Sequence, residues 1–405
     1  MSPLKVLFPR RLATIILDRI LYHKLCFDTL RGMNTFEVME WYDISNINEI
    51  DTPALLVFPD RMKHNIDQAV AMAGDAKRLR PHIKTHKSKE AAQMMLDAGI
   101  GTFKCATIAE AELLGMLDAP DVLLAYQPVG PKLDRLILLI EEYAQTRYSC
   151  LVDNLPSATA LAQAAIDHQI ILDVFIDLDL GMHRTGIDPK ATPPLIDFIM
   201  TCRSLRLRGL HAYDGHIRDI DIDNRKQKAD QAFEGVEALN QYFLEKYNLA
   251  FEVVCGGSPT FPIHAHRSGV QCSPGTFIYW DQGYSDIYQG HTFLPAAVLV
   301  TRIISKPTPT QITTDLGHKS VAAENELTNR VHFLNAGSLK PIGQSEEHLV
   351  LEIQDNKKYS IGDVLYAIPQ HICPTVALYD HVKVVENNKV VNAWRNIARD
   401  RSINY

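Results

Sequence analysis

Short apolar runs alternate with amphipathic stretches from Thr52 to about Gly290. After the first run, Met62, Ile66 and Ala73 recur at the spacing of one helix face. Alternating strands and helices are typical of a parallel sheet, and eight such units close a barrel of about 230 residues. We therefore predict an α/β fold, a (β/α)8 TIM-type barrel. Its eight strands are expected at Pro53–Phe58, Arg78–Lys84, Thr102–Ala106, Asp121–Gln127, Tyr148–Val152, Ile171–Asp177, Leu207–Asp214 and Glu252–Gly256.

The pattern changes after about residue 290, where strand-like runs follow one another without helical segments between them. Turn-forming pairs such as Asp355-Asn356 and Asn387-Asn388 separate some of these runs. The pattern predicts a second, smaller, all-β domain. Its strands are expected at Ala297–Ser305, Gln311–Asp315, Val331–Asn335, His348–Ile353, Asp363–Ile368, Thr375–Leu378 and Val382–Val391.

We predict domain boundaries at 41–290 for the barrel and 291–405 for the β domain, after an N-terminal extension over residues 1–40. Basic residues punctuate the apolar runs of the first 32 residues, and only Asp18 and Asp28 oppose them. This composition is compatible with a targeting peptide. It is equally the composition of a dispensable extension ahead of a start at Met33 or Met39, which is the interpretation that we favour.

Composition narrows the class of protein. A chain with 46% hydrophobic and 22% charged residues can bury a large core, and its formal net charge of -7 offers no basic surface to a nucleic acid. No run reaches the roughly 18 apolar residues that a membrane-spanning helix needs. The seven cysteines form no CxxC pair, which favours a reducing compartment. We expect a cytoplasmic protein that acts on a small molecule, without nucleic-acid or membrane partners.

Chemically distinctive residues follow several predicted strands, at the end of a barrel where active sites lie. Lys84 ends the second strand, residues 179–186 follow the sixth, residues 213–216 follow the seventh, and Gly256-Gly257-Ser258 follows the eighth. A purely structural role would scatter such residues over both ends of the barrel. The sequence therefore predicts an active site at the carboxyl ends of these strands.

Lys84 lies in the segment RPHIKTHK, at the end of a predicted buried strand. Burying a lysine is costly unless its amine is neutral or bonded covalently, and Schiff-base formation provides such a bond. Taken alone, the octapeptide favours a surface lysine in a basic loop, because Lys87 and Lys89 follow closely.

Two glycine-containing turns are candidates for binding an anion. Gly256-Gly257-Ser258 follows a strand, so its backbone N–H groups can approach a phosphate closely, with the Ser258 hydroxyl as an additional donor. Gly275-Thr276 would supply a second set of N–H groups. Ordinary glycine turns remain the alternative for both segments.

His371 and Cys373 are two residues apart in a stretch that we expect to be extended, so both side chains would project from one face. A thiolate and an imidazole favour zinc or a similar cation, and two protein ligands leave positions for water and substrate. The spacing by itself is weak, since His-x-Cys is common by chance.

Six segments together resemble the D-threonine aldolase and D-serine dehydratase family: RPHIKTHK, DLDLGMHRTG, GLHAYDGH, CGGSPTF, PGTF and PQHICPT. The resemblance extends from about Glu49 to Val391. It implies an alanine-racemase-like barrel followed by a β domain, with pyridoxal 5'-phosphate (PLP) and a divalent metal, Zn or Mn, as cofactors. We also expect a homodimer, in which the neighbouring subunit could complete the site.

The resemblance implies a role for each candidate residue. Lys84 would carry PLP as a Schiff base, Arg184 would contact the ring nitrogen, and Tyr213 would pack on or beside the ring. His371 and Cys373 would bind the metal. His216 would take a proton from the substrate hydroxyl, a role that suits a histidine at the barrel mouth because its side chain titrates near working pH.

We therefore expect a lyase that acts on D-3-hydroxy amino acids by retro-aldol cleavage to glycine and an aldehyde. The alternative is elimination of the D-serine dehydratase type, giving a 2-keto acid and ammonia. A racemase would need a second base, and no matching motif surrounds Tyr359, Tyr366 or Tyr379. A non-catalytic PLP carrier would lack the β domain with its His-x-Cys pair.

Overall fold

The computed structural model describes residues 39–288, 290 and 292–405. The predicted extension over residues 1–40 lies almost wholly outside the described residues. Residues Ile44–Tyr405 form a unit of their own, separate from residues 1–43. The fold described below is that of the larger unit.

Seven parallel strands form one sheet and pair in chain order. The first strand of the chain, β1 (Ala54–Val57), belongs to another sheet. Inside the parallel sheet, Leu123, Leu151, Phe175 and Val254 form an apolar cluster. The seven strands are β2 (Thr102–Cys105), β3 (Asp121–Leu124), β4 (Arg147–Val152), β5 (Leu172–Asp179), β6 (Leu205–Tyr213), β7 (Glu252–Cys255) and β8 (Val270–Cys272).

Helices connect most of these strands, and polar side chains cap several of their N-termini. Ser88, Thr107 and Asn154 each accept a hydrogen bond from a backbone N–H of the helix that follows. No helix of the described ranges is both long and apolar enough to cross a bilayer. The helices are α1 (Pro59–Ala73), α2 (Lys89–Asp97), α3 (Ile108–Gly115), α4 (Pro131–Glu142), α5 (Leu155–Asp167), α6 (Pro193–Thr201), α7 (Ile222–Tyr247), α8 (Phe261–Ala265) and α9 (Gln282–Ile287).

The prediction of a closed eight-stranded barrel is wrong, because the parallel sheet has seven strands. Residues 78–84 form no strand: Pro81 has no N–H to donate, and a 3₁₀ turn begins at Ile83. The segment nevertheless runs between the two edge strands. Arg80 N donates to Cys272 O (2.8 Å) and Lys104 N donates to Pro81 O (2.9 Å). This extended segment therefore brings Lys84 to the carboxyl edge of the sheet.

The second sheet has nine strands, eight of them from the region that we predicted to be all β. That region is mostly β, with a short α-helix. Its central path runs β12-β13-β10-β9-β1-β15-β16, and β14 pairs with β9 and β11. The first predicted barrel strand thus lies elsewhere: β1 is antiparallel to β9 and parallel to β15. The remaining strands are β9 (Ala297–Thr308), β10 (Gln311–Thr314), β11 (Val331–Phe333), β12 (Lys340–Gln344), β13 (Leu349–Glu352), β14 (Val364–Pro369), β15 (His381–Glu386) and β16 (Lys389–Arg395).

Two further strand predictions are wrong in this region. The predicted strand Thr375–Leu378 is replaced by a short helix, α10 (Ile372–Val376). The predicted strand Val382–Val391 is a hairpin of β15 and β16, because Asn387 and Asn388 both adopt positive φ angles (50° and 57°) and reverse the chain.

Candidate active site

Lys84 lies in a 3₁₀ turn, Ile83–Thr85, that directly follows the extended segment between β8 and β2. His82 Nδ1 accepts a hydrogen bond from Lys84 N (3.3 Å) and helps to fix this turn. The side chain of Lys84 is half-buried, and its amine hydrogen-bonds to no other described residue. The lysine thus stands at the edge of the sheet that the sequence predicts for the active site.

The turn that contains Gly275 packs directly against the turn of Lys84. A Cβ atom on Gly275 would lie 2.9 Å from His82 O, so only glycine allows this approach. Gly275 N and Thr276 N both donate to Ser258 Oγ, each at 3.2 Å. Two backbone N–H groups therefore converge on one side-chain oxygen in a turn that packs against the turn of Lys84, and an anion that took the place of this hydroxyl would receive both of them.

The N–H groups of the Gly256-Gly257 pair already have protein partners. Gly256 N donates to Ala212 O (3.0 Å), and Gly257 N donates to Thr260 Oγ1 (3.3 Å). Gly256 has a φ of +75°, a conformation that glycine adopts readily. The contribution of this turn to the site is therefore its shape, which brings Ser258 beside the Gly275 turn.

Two buried side chains in contact with each other, Asp214 and His264, support the same turn. Asp214 accepts hydrogen bonds from Thr260 Oγ1 (2.6 Å), and its other oxygen lies 2.7 Å from His264 Nε2. A Cβ atom on Gly256 would lie 2.7 Å from His264 Cδ2, which leaves no space for a side chain at that position. Asp214 and His264 thus hold the backbone of residues 256–260 in place.

Tyr213, the last residue of β6, lies beside this turn and under Arg184. A Cβ atom on Gly257 would lie 3.0 Å from the Tyr213 ring, and the guanidinium carbon of Arg184 lies 5.1 Å from the ring centroid. Arg184 is exposed, on a loop that Gly186 N anchors to Asp153 Oδ2 (3.0 Å). This stacking is within the range of a cation–π contact.

The C-terminal region contributes Cys373, whose Sγ lies 3.2 Å from Thr85 Oγ1 and 3.6 Å from Thr276 Oγ1. The thiol therefore lies between the turn of Lys84 and the turn of Gly275. The expected extended stretch is absent here, since His371 is the N-cap of α10 and Cys373 is in its first turn. Asp281 holds this helix by accepting a hydrogen bond from Ile372 N (2.9 Å).

Electrostatics favour the charged forms of His371 and Cys373. Burial works against charge on both side chains, but their mutual hydrogen bond and attraction raise the pKa of His371 to about 9 and lower the pKa of Cys373 below its usual value. A thiolate is the form of cysteine that binds metals, whereas a metal would have to displace the additional proton of His371, because only a neutral imidazole is a ligand. His371 Nδ1 also contacts Glu324 Oε1 at 2.6 Å. Within the described ranges, no three His, Cys, Asp or Glu side chains converge into a complete metal site.

His216 is the candidate that the structure leaves apart. Its side chain is exposed, and its Nε2 would lie 3.4 Å from a Cβ atom on Gly181. Among the described residues, no hydrogen bond or ion pair joins His216 to Lys84, His371 or Cys373. The histidine borders the loop of Arg184 rather than the turn of Lys84.

Sequence reasoning missed a buried polar layer beneath these residues. Lys104, on β2, is 2% exposed, and its Nζ lies 3.5 Å from His211 Nε2. His211 Nδ1 in turn lies 2.7 Å from Asp177 Oδ1. The segment Thr102–Cys105 contained a signal for this layer. Side chains alternate along a strand, so Lys104 lies on the opposite face from the buried Phe103 and Cys105 and points to the inside of the parallel sheet.

Comparisons with known proteins identify the family of the chain and several relatives. Residues 57–282 match the family model described as alanine racemase, N-terminal domain, and residues 296–385 match the putative serine dehydratase domain. A 3-hydroxy-D-aspartate aldolase of Paracoccus denitrificans (strain Pd 1222) is 28% identical, covering 87% of this chain and 93% of the relative. A D-threonine aldolase of Arthrobacter sp. is 26% identical (86% and 93%), and a D-serine dehydratase of Dictyostelium discoideum is 24% identical (86% and 97%).

Solved structures share the fold. A D-threonine aldolase from Filomicrobium marinum superposes with a TM-score of 0.79 at 24% identity, covering 87% of this chain and 96% of that one. A D-threo-3-hydroxyaspartate dehydratase from Delftia sp. HT23 gives a TM-score of 0.73 at 22% identity, covering 86% and 97%. The resemblance inferred from the six sequence segments is thereby confirmed. Because the first family match covers more than half of the chain, the protein belongs to the alanine racemase N-terminal domain family.

Proposed function

We propose that this protein is a PLP- and metal-dependent lyase that cleaves D-3-hydroxy amino acids to glycine and an aldehyde, as a D-threonine aldolase does. One observation carries the proposal. The turn that contains Lys84, the N–H groups that converge on Ser258 Oγ, and the thiol of Cys373 lie next to one another, although they come from distant parts of the chain.

The residues at this edge suit PLP. The half-buried amine of Lys84 has no protein partner among the described residues, so it is free to bond covalently to the cofactor. Ser258, Gly275 and Thr276 would hold the phosphate, with the turn of Gly256 and Gly257 shaping the cradle. Tyr213 would lie beside the ring, and Arg184 would contact the ring nitrogen. When bound, PLP withdraws electrons from the bonds at the substrate Cα.

His371 and Cys373 would hold a divalent cation. The thiolate and imidazole donors fit zinc better than manganese, which prefers oxygen ligands. With two protein ligands, the cation keeps positions for water and for the substrate hydroxyl. We propose that His216, at the rim of the site, takes the proton from that hydroxyl.

A second candidate function is elimination to a 2-keto acid and ammonia, as in a D-serine dehydratase. The position of His216 favours keeping this candidate, because elimination needs a base at Cα, which Lys84 can supply, and does not need His216. The D-serine dehydratase of Dictyostelium discoideum is similar over 86% of this chain.

Product analysis separates the two candidates. The purified protein is incubated with D-threonine, D-serine or 3-hydroxy-D-aspartate, with added Zn²⁺, with added Mn²⁺ and after chelation. We expect glycine and an aldehyde, formed only when metal is present. Formation of a keto acid together with ammonia and without glycine would support the dehydratase instead, since cleavage of 3-hydroxy-D-aspartate to glycine also releases a 2-oxo acid, glyoxylate.

Two variants test the proposed anchor. Lys84→Ala should abolish the absorbance of bound PLP together with activity, whereas Lys319→Ala, an exposed lysine paired with Glu346, should change neither. Bound PLP in Lys84→Ala with an unchanged spectrum would contradict the proposal.

We further propose that the enzyme acts in the cytoplasm as a homodimer on a free D-amino acid. The six cysteines described in the structure are all free thiols, which supports a reducing compartment. Light scattering of the purified protein tests the oligomeric state.

A further inference from the structure

Lys104 is a buried cation that the proposed reaction does not yet use. It lies on β2, and it pairs in register with Leu123, a member of the apolar cluster inside the sheet. Its side chain therefore points into the barrel, where the ammonium lies 5.3 Å from the centroid of the Tyr213 ring. Its residue exposure is 2%.

The amine of Lys104 forms no salt bridge among the described residues, although the more distant carboxylates of Asp177 and Asp214 favour its charged form. Its one hydrogen-bond contact is His211 Nε2 at 3.5 Å, longer than an ordinary hydrogen bond. The nearest polar network is already satisfied, since Asp177 accepts hydrogen bonds from His211 and from Gln127 Nε2 (2.9 Å). A buried charge without a partner of opposite charge is costly. A protein therefore retains such a buried charge mainly where a bound ligand supplies the opposite charge.

The surroundings of Lys104 are mixed in charge. Burial lowers its pKa to about 7, and the charge of Lys84 acts in the same direction. Burial also keeps the pKa of His211 below its usual value, so the neutral ring can donate from Nδ1 to Asp177 and present Nε2 as an acceptor. The titratable and charged groups that face Lys104 from the neighbouring strands are His82, Lys84, Asp177, His211, Tyr213, Asp214 and Cys255.

Topology indicates which part of a ligand would reach Lys104. The segment that carries Lys84 lies between β8 and β2, with hydrogen bonds to both. Ser258 and the turn of Gly275 lie on the side of β8, and Lys104 lies on the side of β2. In PLP, the ring carbon that carries the aldehyde is flanked by two ring positions, one bearing the phosphate arm and the other an acidic hydroxyl. With the phosphate on the side of β8, the hydroxyl faces β2.

We infer that Lys104 binds the cofactor, its ammonium pairing with the ionised ring oxygen of PLP beside the carbon that bonds Lys84. This inference rests on the proposed function, because it takes Lys84 as the anchor. A cation at this position stabilises the ionised oxygen and binds it more strongly than a neutral donor does. Lys104 thereby contributes to cofactor affinity and sets the pH at which the bound ring oxygen takes up a proton.

The test compares holoenzyme spectra and PLP affinity in Lys104→Met, Lys104→Arg and the control Lys340→Met, which removes an exposed lysine from β12. In Lys104→Met we expect PLP to bind roughly tenfold more weakly, as loss of one charge-assisted contact predicts. The absorbance titration of the ring oxygen should move upward by about one pH unit, since the ionised form loses its cation. Lys104→Arg keeps the charge, so its PLP affinity and its absorbance titration should lie much closer to those of the unmodified protein. A Lys104→Met holoenzyme with the titration and affinity of Lys340→Met would overturn the inference.

A second measurement uses the unmodified protein and does not depend on the folding of a variant. The probe is 3-deoxypyridoxal 5'-phosphate, which lacks the ring hydroxyl but keeps the aldehyde and the phosphate. It should bind roughly tenfold more weakly than PLP. Equal binding of the two compounds would refute the role of Lys104, even if Lys84→Ala abolishes the PLP absorbance as proposed. If Lys84→Ala keeps that absorbance, it is instead the proposed function that fails.

Discussion

Three lysines near the barrel mouth have the same side chain and three different environments. Lys84 is half-buried, and its amine is free among the described residues, whereas Lys87 forms an ion pair with the buried Glu110. Lys104 is buried beside a neutral histidine. Local geometry therefore gives one side chain three different environments: an amine without a hydrogen-bond partner among the described residues, a member of an ion pair, and a buried amine beside a histidine.

His86 allows a prediction about acid stability. The residue is fully buried, its Nδ1 accepts a hydrogen bond from Ser88 N (3.3 Å), and burial lowers its pKa to about 3. In the unfolded chain a histidine titrates near pH 6.5, so below that pH the unfolded state binds the proton more strongly. The free energy of unfolding should therefore fall by up to about 1.4 kcal/mol per pH unit between roughly pH 6.5 and 3 on account of His86.

His86→Gln isolates this contribution, because glutamine keeps an acceptor but does not titrate. Urea unfolding at pH 7, 6 and 5 should give a shallower loss of stability in His86→Gln than in the unmodified protein. His168→Gln, which removes an exposed histidine paired with Glu141, should leave the slope unchanged. If the free energy of unfolding fell equally steeply with pH in His86→Gln and in His168→Gln, the assignment to His86 would be contradicted.

Among the elements, the positions of the strands in the parallel sheet were the easiest to predict. The hardest feature to predict was which strands pair with one another. The predicted strands at 102–106, 121–127, 148–152, 171–177, 207–214 and 252–256 all overlap observed strands. Ala54–Val57 is buried at all four positions, so its sequence looks the same whether it lies in a parallel barrel or at the centre of the second sheet. The three residues of β8 are too few to give a periodic pattern.

Prediction of the site residues was limited in the same way: unusual residue types could be recognised, but short elements and contacts between strands could not. The glycine turns and Lys84 were recognisable because their residue types are unusual after a strand. Helix α10 was predicted as a strand, because its five residues show no helical period. The layer of Lys104, His211 and Asp177 was missed because its members come from three strands, whose registers the sequence does not contain.

The opposite end of the parallel sheet carries a buried ion cluster that should stabilise the barrel. Asp121, at the start of β3, contacts the guanidinium groups of both Arg80 and Arg208. Arg208 also pairs with Glu252 (2.6 Å), and both guanidinium groups lie over the ring of Phe175. This cluster joins the extended segment, β3, β6 and β7.

Removing the shared carboxylate should cost more than removing one cation. Asp121→Ala leaves Glu252, 3.6 Å from Arg80 and 2.6 Å from Arg208, as the remaining shared carboxylate of two buried guanidinium groups, and should lower the free energy of unfolding by about 3 kcal/mol. Arg80→Met should cost less, because Asp121 keeps Arg208. Asp67→Ala, in an exposed ion pair with Lys63, should show no measurable change. Urea denaturation measures the free energy of unfolding of all three variants. A larger loss in Arg80→Met than in Asp121→Ala would disprove the role of Asp121 as a partner of both arginines.

At the scale of the whole molecule, the candidate site depends on segments that are far apart in sequence. Thr85 and Cys373 are 288 residues apart, and their side chains are in contact. The chain forms β1 of the second sheet first, then the parallel sheet, and then returns to complete the second sheet. The segment of His371 and Cys373 and the turn of Lys84 are therefore held together by the packing of both sheets rather than by local sequence.

This topology predicts that residues 291–405 do not fold alone. Strand β1 lies between β9 and β15, with Leu56 opposite both Val298 and Lys383, so the fragment would expose two strand edges and lose the buried side chains of β1. We expect the isolated fragment to lack a cooperative thermal transition in circular dichroism. Fusing residues 44–58 to it through a flexible linker should restore one. The same fusion with Leu55→Asp, which puts a charge at a fully buried position, should not. Cooperative unfolding of the fragment without β1 would show that the second sheet is independent of its first strand.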